Sequence, residues 1–158
     1  ADASFMTHYD LYGRTGILVI SSNGVIMCKS SKQTILSMSS TESELIALYS
    51  AIEVANDLYG KCISFSMLCD KPIVYQDNQN ILAMVSKREP YELSKKHVTL
   101  KYYSVHESVK DKEVELQWCA SGNMLADILT KPMMGKSFYK IVDIITPEFS
   151  VNNIGNSV

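Results

Sequence analysis

With 158 residues, 46% of them hydrophobic and 20% charged, the chain can bury one core and is short for two domains of ordinary size. A net charge of -2 provides no overall positive field for a polyanion, so a nucleic-acid partner would need a local basic patch or a tether to another domain. Cys28, Cys62, Cys69 and Cys119 form no CxxC, and there is neither a signal peptide nor an apolar run of about 18 residues, which argues against a disulfide framework, a zinc site and a membrane span and points to a reduced, soluble, intracellular protein. The opening Ala1-Asp2-Ala3-Ser4 lacks an initiator methionine, as expected of a segment of a longer polypeptide.

A short first strand carries Asp2. The run ILVISSNGVIMCKSS then reads as a β-hairpin turning at Ser22-Asn23-Gly24, because Asn-Gly between β-rich runs favours a tight turn. In SMSSTESELIALYSAIEVANDLYGK, a capping box is available to Ser39 with Glu42 or to Thr41 with Glu44, and Leu45, Leu48, Ile52 and Tyr59 recur at helical spacing, so a helix is expected to end near Gly60. Residues 72–77 form a buried strand, NILAMVSKR a short helix broken by Pro90, and 94 to about 111 a longer helix. VELQWCA is the last strand, with Trp118 and the eight methionines read as core. Asn123 is expected to cap a helix MLADILTK interrupted at Pro132, residues 138–145 form a final helical piece, and the polar tail 147–158 is set apart from a domain spanning 1–146. Three antiparallel strands followed by alternating β and α units favour a mixed-sheet α/β architecture.

The stretch IVYQDNQN places an ionisable carboxylate at the end of a buried strand. Asp2, Glu44, Asp77 and Asp127 all fall at strand ends or helix starts, which in α/β sheets converge on a ligand-binding crevice. Like charges brought that close raise one another's pKa unless cations separate them. Oxygen donors of this kind suit Mg²⁺ or Mn²⁺, and two such ions can activate water and stabilise a leaving oxygen in phosphodiester hydrolysis. On spacing alone, ordinary structural roles are the stronger alternative: Glu44 suits the positive end of a helix dipole, and Asp77 can cap the helix that follows it.

Taken together, ADAS, GILVISSNGVIMCKSSKQ, SSTESELIAL, YQDNQNILA, SKKHVTLKYYSVHESVKDKEVEL and NMLADILTKP resemble, in order and over nearly the whole chain to about residue 145, the ribonuclease H domain of Ty1/Copia-type LTR retrotransposon polyproteins. The resemblance implies the ribonuclease H-like fold, a mixed five-stranded sheet flanked by helices. It also implies endonucleolytic hydrolysis of the RNA strand of an RNA/DNA hybrid during reverse transcription, beside an upstream reverse transcriptase domain and in cytoplasmic virus-like particles.

The family's catalytic and metal-binding acids fall on Asp2, Glu44, Asp77 and Asp127. In its two-metal scheme Asp2 bridges both Mg²⁺ ions, for which Mn²⁺ can substitute. Asp127 helps hold the ion that activates water, and Glu44 with Asp77 holds the ion at the leaving oxygen. Glu42 is the rival for the helix acid; Glu44 is preferred because ELIAL resembles the related retroviral motif.

Asn78 and Gln79, with Ser40 beside its neighbours Ser39 and Thr41, offer groups for a minor-groove edge or a 2′-hydroxyl, although helix capping competes for Ser39 and Thr41. Lys95, Lys96 and His97 are candidates for phosphate contact. They belong to a stretch, 87–101, in which Lys87, Arg88, Lys95, Lys96 and Lys101 outnumber Glu89 and Glu92, with Tyr91, Tyr102 and Tyr103 nearby, a mixture suited to gripping a DNA strand. A solvated helix face is the plain alternative for any one of these lysines.

One departure from related ribonucleases H is the loop Ala120-Ser121-Gly122-Asn123, which holds no histidine where many carry a mobile one. Exonucleases of this fold usually place a second acid two residues after the first, a position held here by Ser4, and integrases put a glutamate last. Both are disfavoured, which leaves a catalytically weak or inactive connector module, of the polyprotein or a domesticated derivative, as the competing reading.

Overall fold

The computed structural model describes residues 1–5, 11–21, 24–87 and 95–146. Strands β1 (Asp2–Ser4), β2 (Arg14–Ser21) and β3 (Gly24–Lys32) form an antiparallel sheet in that order. Asp2 pairs with Gly16, and Leu18 with Cys28, and the register slips between Val19 and Ile20. The expected hairpin is therefore present as a strand pair; Ser22 and Asn23 of its turn lie outside the described residues.

Helix α1 (Ser40–Ser64) starts where Ser39, in extended backbone, accepts a hydrogen bond from the Glu42 N–H. Glu42 reaches back to accept from the Met38 N–H at 2.8 Å. This is a variant of the Ser39/Glu42 capping box, with Glu42 reaching the N–H one residue before the cap rather than that of Ser39 itself. Leu45, Leu48 and Ile52 are buried on one face, each contributing about 1.5–3 kcal/mol of hydrophobic stabilisation. The helix runs one turn past the expected stop at Gly60 and closes at Phe65, whose N–H bonds the Ile63 and Lys61 carbonyls.

Strand β4 (Ile73–Gln76) pairs in parallel with β5 (Glu115–Trp118), the crossover being made by α2 (Gln79–Ser86) and α3 (Lys96–Lys110). Among the described residues the strands thus form one three-stranded and one two-stranded sheet. Their edges meet where the Ala1 nitrogen donates to the Tyr75 carbonyl at 3.0 Å. Ile17, Leu45, Leu48, Val74, Ile81, Val85, Val98 and Val105 share the core between the strands and α1–α3. Pro90, proposed as the breaker after α2, and the tail 147–158 lie outside the described residues.

Three local expectations are corrected. The segment MLADILTK holds only a 3₁₀ turn, η2 (Leu125–Leu129), preceded by another, η1 (Ser121–Asn123), and Asn123 caps neither with its side chain. Met124, extended between the turns, and Pro132, which disfavours helix at the residue before it, leave room only for short i→i+3 pieces. Trp118, the last residue of β5, is 54% exposed, and Met38, Met67 and Met134 are exposed too. Tyr102, assigned to gripping DNA, is buried in the core and donates its hydroxyl to the Met84 and Lys87 carbonyls. Helix α4 (Lys136–Ile145) closes the described chain, and no described helix is long and apolar enough to cross a membrane.

Candidate metal centre

Four elements deliver the acids. Asp2 opens β1, opposite Gly16, and is only 1% exposed. Glu44 follows Ser40 by one turn of α1, and Asp77 follows the last residue of β4. Carboxylate oxygens of Asp2, Glu44 and Asp77 all lie within 4.8 Å of one another. The fourth acid, Asp127 on η2, is drawn to this group through Lys131, whose ammonium lies 3.0 Å from Asp127 Oδ1 and 3.3 Å from Asp2 Oδ1. Thr130 donates its hydroxyl to Asp2 Oδ2.

Glu42 and Glu44 are held in different places. Glu42 is occupied at the helix cap, whereas Glu44 faces Asp2 and Asp77. Likewise Asn78, not Asp77, caps α2, its Oδ1 accepting from the Asn80 and Ile81 N–H groups. Asp77 is thereby left for the site.

Electrostatics register the crowding. Burial, then the charges of Asp2 and Asp77, push the Glu44 carboxyl up to about 8. Burial also raises Asp2, against the opposing pull of the Thr130 hydrogen bond and the Lys131 charge. For Lys131, burial alone would lower the pKa, but the hydrogen bond to Asp127 and the Asp2 charge outweigh it and the ammonium is held more firmly.

The residues around the acids that sequence reasoning missed are Gln76, Thr130, Lys131 and Gly16. Gln76 is fully buried; its amide donates to Glu44 Oε2 at 3.4 Å and its oxygen accepts from the Asp77 and Asn78 N–H groups at 2.8 and 3.1 Å. Gly16 lets η2 approach the sheet: a Cβ there would sit 2.7 Å from Thr130 Cγ2 and 3.0 Å from the Ala126 carbonyl. In the sequence Lys131 stands in the quoted NMLADILTKP segment, at i,i+4 spacing from Asp127.

The candidate nucleic-acid residues fall in two groups. Ser40 and Gln79 are exposed, one turn before Glu44 and two residues after Asp77, while Asn78 keeps only its amide donors free of the cap. Lys96 and His97 are exposed at the start of α3, and Lys95 donates to the Leu36 carbonyl, which sets that helix end beside the loop leading into α1. Lys101, by contrast, is laid over the Tyr49 ring, 3.7 Å from its centroid. Trp118 stands opposite Gln76 in the β4–β5 register and is exposed there.

The donor set is one that hard divalent cations favour: converging carboxylate oxygens, with the Glu44 carboxyl raised by burial and by the neighbouring Asp2 and Asp77 charges.

No protein-family model matches the chain. Over 127 residues it is 29% identical to the retrovirus-related Pol polyprotein from transposon TNT 1-94 of Nicotiana tabacum, a match taking in 78% of this chain and 9% of that protein. The chain thus corresponds to a small segment of that relative, and the likeness supports an origin within a retrotransposon polyprotein.

Proposed function

We propose that this chain is a ribonuclease H: a two-metal-ion endonuclease that hydrolyses the RNA strand of RNA/DNA hybrids, working beside an upstream reverse transcriptase segment of a retrotransposon polyprotein in cytoplasmic virus-like particles. The observation that carries this reading is the convergence of Asp2, Glu44 and Asp77 from a strand start, a helix turn and a strand end, with oxygens within 4.8 Å. The meeting of the two sheets at Ala1 and Tyr75 supports a single mixed five-stranded sheet of the ribonuclease H-like kind.

Asp2, Glu44, Asp77 and Asp127 would hold Mg²⁺ or Mn²⁺. Bound there, such ions lower the pKa of an attacking water and offset charge on the leaving oxygen. Gln76 fixes the backbone at Asp77 and Asn78, so the strand-end carboxylate is aimed before any substrate arrives. Ser40, Asn78 and Gln79 flank the acids and can donate to 2′-hydroxyls of the RNA strand, the groups that distinguish it from DNA. Lys95 and Lys96 supply the positive edge, and His97 a ring N–H, for the DNA strand's phosphates. Because the chain's net charge is -2, these few contacts give modest affinity, and the neighbouring polymerase segment is expected to supply the rest.

The test is cleavage of an end-labelled RNA/DNA hybrid in Mg²⁺, beside duplex DNA, duplex RNA and single-stranded RNA, with EDTA as the metal-free arm. Cleavage confined to the hybrid's RNA and lost in EDTA supports the proposal. A folded chain that leaves the hybrid intact, even when joined to its upstream polymerase segment, supports the connector module instead.

A further inference from the structure

One side of the acidic cluster carries its own cation. Lys131 Nζ lies 3.0 Å from Asp127 Oδ1 and 3.3 Å from Asp2 Oδ1, while Thr130 donates to the other Asp2 oxygen. On the other side, Glu44 receives the neutral amide of Gln76. The site is thus asymmetric, filled by an ammonium between Asp2 and Asp127 and solvated by an amide near Asp77.

Asp2 is 1% exposed, whereas the Lys131 side chain is 42% exposed. The carboxylate cannot turn to water, but the ammonium can leave without disturbing the core. A buried carboxylate left without a partner is costly, so Lys131 leaves only when another cation takes its place. A monovalent ion offers no more charge than the tethered ammonium, which also acts at high local concentration; a divalent ion offers twice the charge.

We propose that Lys131 is a displaceable counter-cation: it holds Asp2 and Asp127 in position without metal, and a divalent ion can enter between them only by expelling it. Lys131 is therefore a positioning residue that makes the site fill in order, the Asp2–Glu44–Asp77 end first and the Asp127 end second, and that discriminates against monovalent ions. The inference rests on the metal-site reading above.

The test is Mn²⁺ titration of the whole chain by calorimetry, with melting in EDTA and in Mn²⁺, for wild type, Lys131→Met, Lys131→Gln and Lys131→Arg, each first shown folded by circular dichroism. Wild type is expected to bind one ion more tightly than a second. Lys131→Met and Lys131→Gln should bind the second ion about tenfold more tightly, the scale expected for losing a half-exposed ion pair. They should melt lower than wild type in EDTA and gain more from Mn²⁺, while Lys131→Arg keeps the wild-type pattern. Equal or weaker second-ion binding by both neutral variants overturns the inference while leaving the metal site standing. Absence of Mn²⁺ binding in wild type and neutral variants alike overturns the metal-site reading itself, and this inference with it.

Discussion

The buried amide of Gln76 donates to Glu44 Oε2 at 3.4 Å while its oxygen accepts from the Asp77 N–H at 2.8 Å. One neutral side chain thus couples the helix acid to the strand-end acid. Replacing Gln76 with Leu keeps roughly the same bulk but strands the Asp77 and Asn78 N–H groups and removes the donor to Glu44. The expected cost is about 2 kcal/mol or more, since each buried donor left unpaired costs about 1–3 kcal/mol. Urea denaturation of the metal-free protein measures it, and Mn²⁺ affinity should fall in the same variant. Unchanged stability would show that Gln76 only fills space.

Glu44 also fixes a pH dependence. Its carboxyl is raised from 4.5 to about 8, so between those values the folded chain keeps a proton that the unfolded chain has released. Stability from this group is fully present below the unfolded pKa and is lost as pH rises through about 8. The urea midpoint of the metal-free protein should fall across that window, and Glu44→Gln should flatten the fall. Metal binding should release a proton near neutrality, detectable as a buffer-dependent enthalpy in calorimetry.

Gly16 tests how closely η2 must approach. In Gly16→Ala the new methyl would sit 2.7 Å from Thr130 Cγ2 and 3.0 Å from the Ala126 carbonyl, and the backbone carbonyl cannot rotate away. A loss of about 1–3 kcal/mol is expected, along with weaker metal binding as η2 and its C-cap Thr130 move outward with Asp127. Gly60→Ala is the matched control: nothing lies within 4 Å of its added Cβ, so it should stabilise α1 by about 0.5–1 kcal/mol. Thermal melts of the two variants should move in opposite directions.

Tyr102 provides a purely structural check. Its ring is buried and its hydroxyl serves the Met84 and Lys87 carbonyls, which joins α3 to the end of α2. Tyr102→Phe should cost about 1–2 kcal/mol and leave hybrid binding unchanged. Loss of hybrid affinity with unchanged stability would restore the ring to the nucleic-acid surface.

Elements with long periodic patterns or strong local signals were legible in the sequence. Leu45, Leu48 and Ile52 repeat at helical spacing and are buried on one face of α1, and the Ser-Asn-Gly signal lies between paired β2 and β3. Spacing alone left Glu42 and Glu44 interchangeable. The structure separates them because Ser39 starts the helix and draws Glu42 into the cap. Tertiary context decided the rest. Winding of 121–129 into 3₁₀ turns depends on Met124, Pro132 and the close approach over Gly16. Whether a ring is core or surface, as with Tyr102 and Trp118, depends on which element covers it, and composition carries no such information. The same holds for Lys131, whose partner Asp2 is 129 residues away in sequence.

The most direct test of the account is single-turnover cleavage of the RNA strand of an RNA/DNA hybrid by wild type and Asp77→Asn at equal Mg²⁺, each verified as folded. Asparagine preserves the shape of Asp77 and removes its charge, so wild type should cut and the variant should be slower by about a hundredfold or more. Cleavage by Asp77→Asn at the wild-type rate, or by wild type undiminished in EDTA, would contradict an active centre built on these carboxylates.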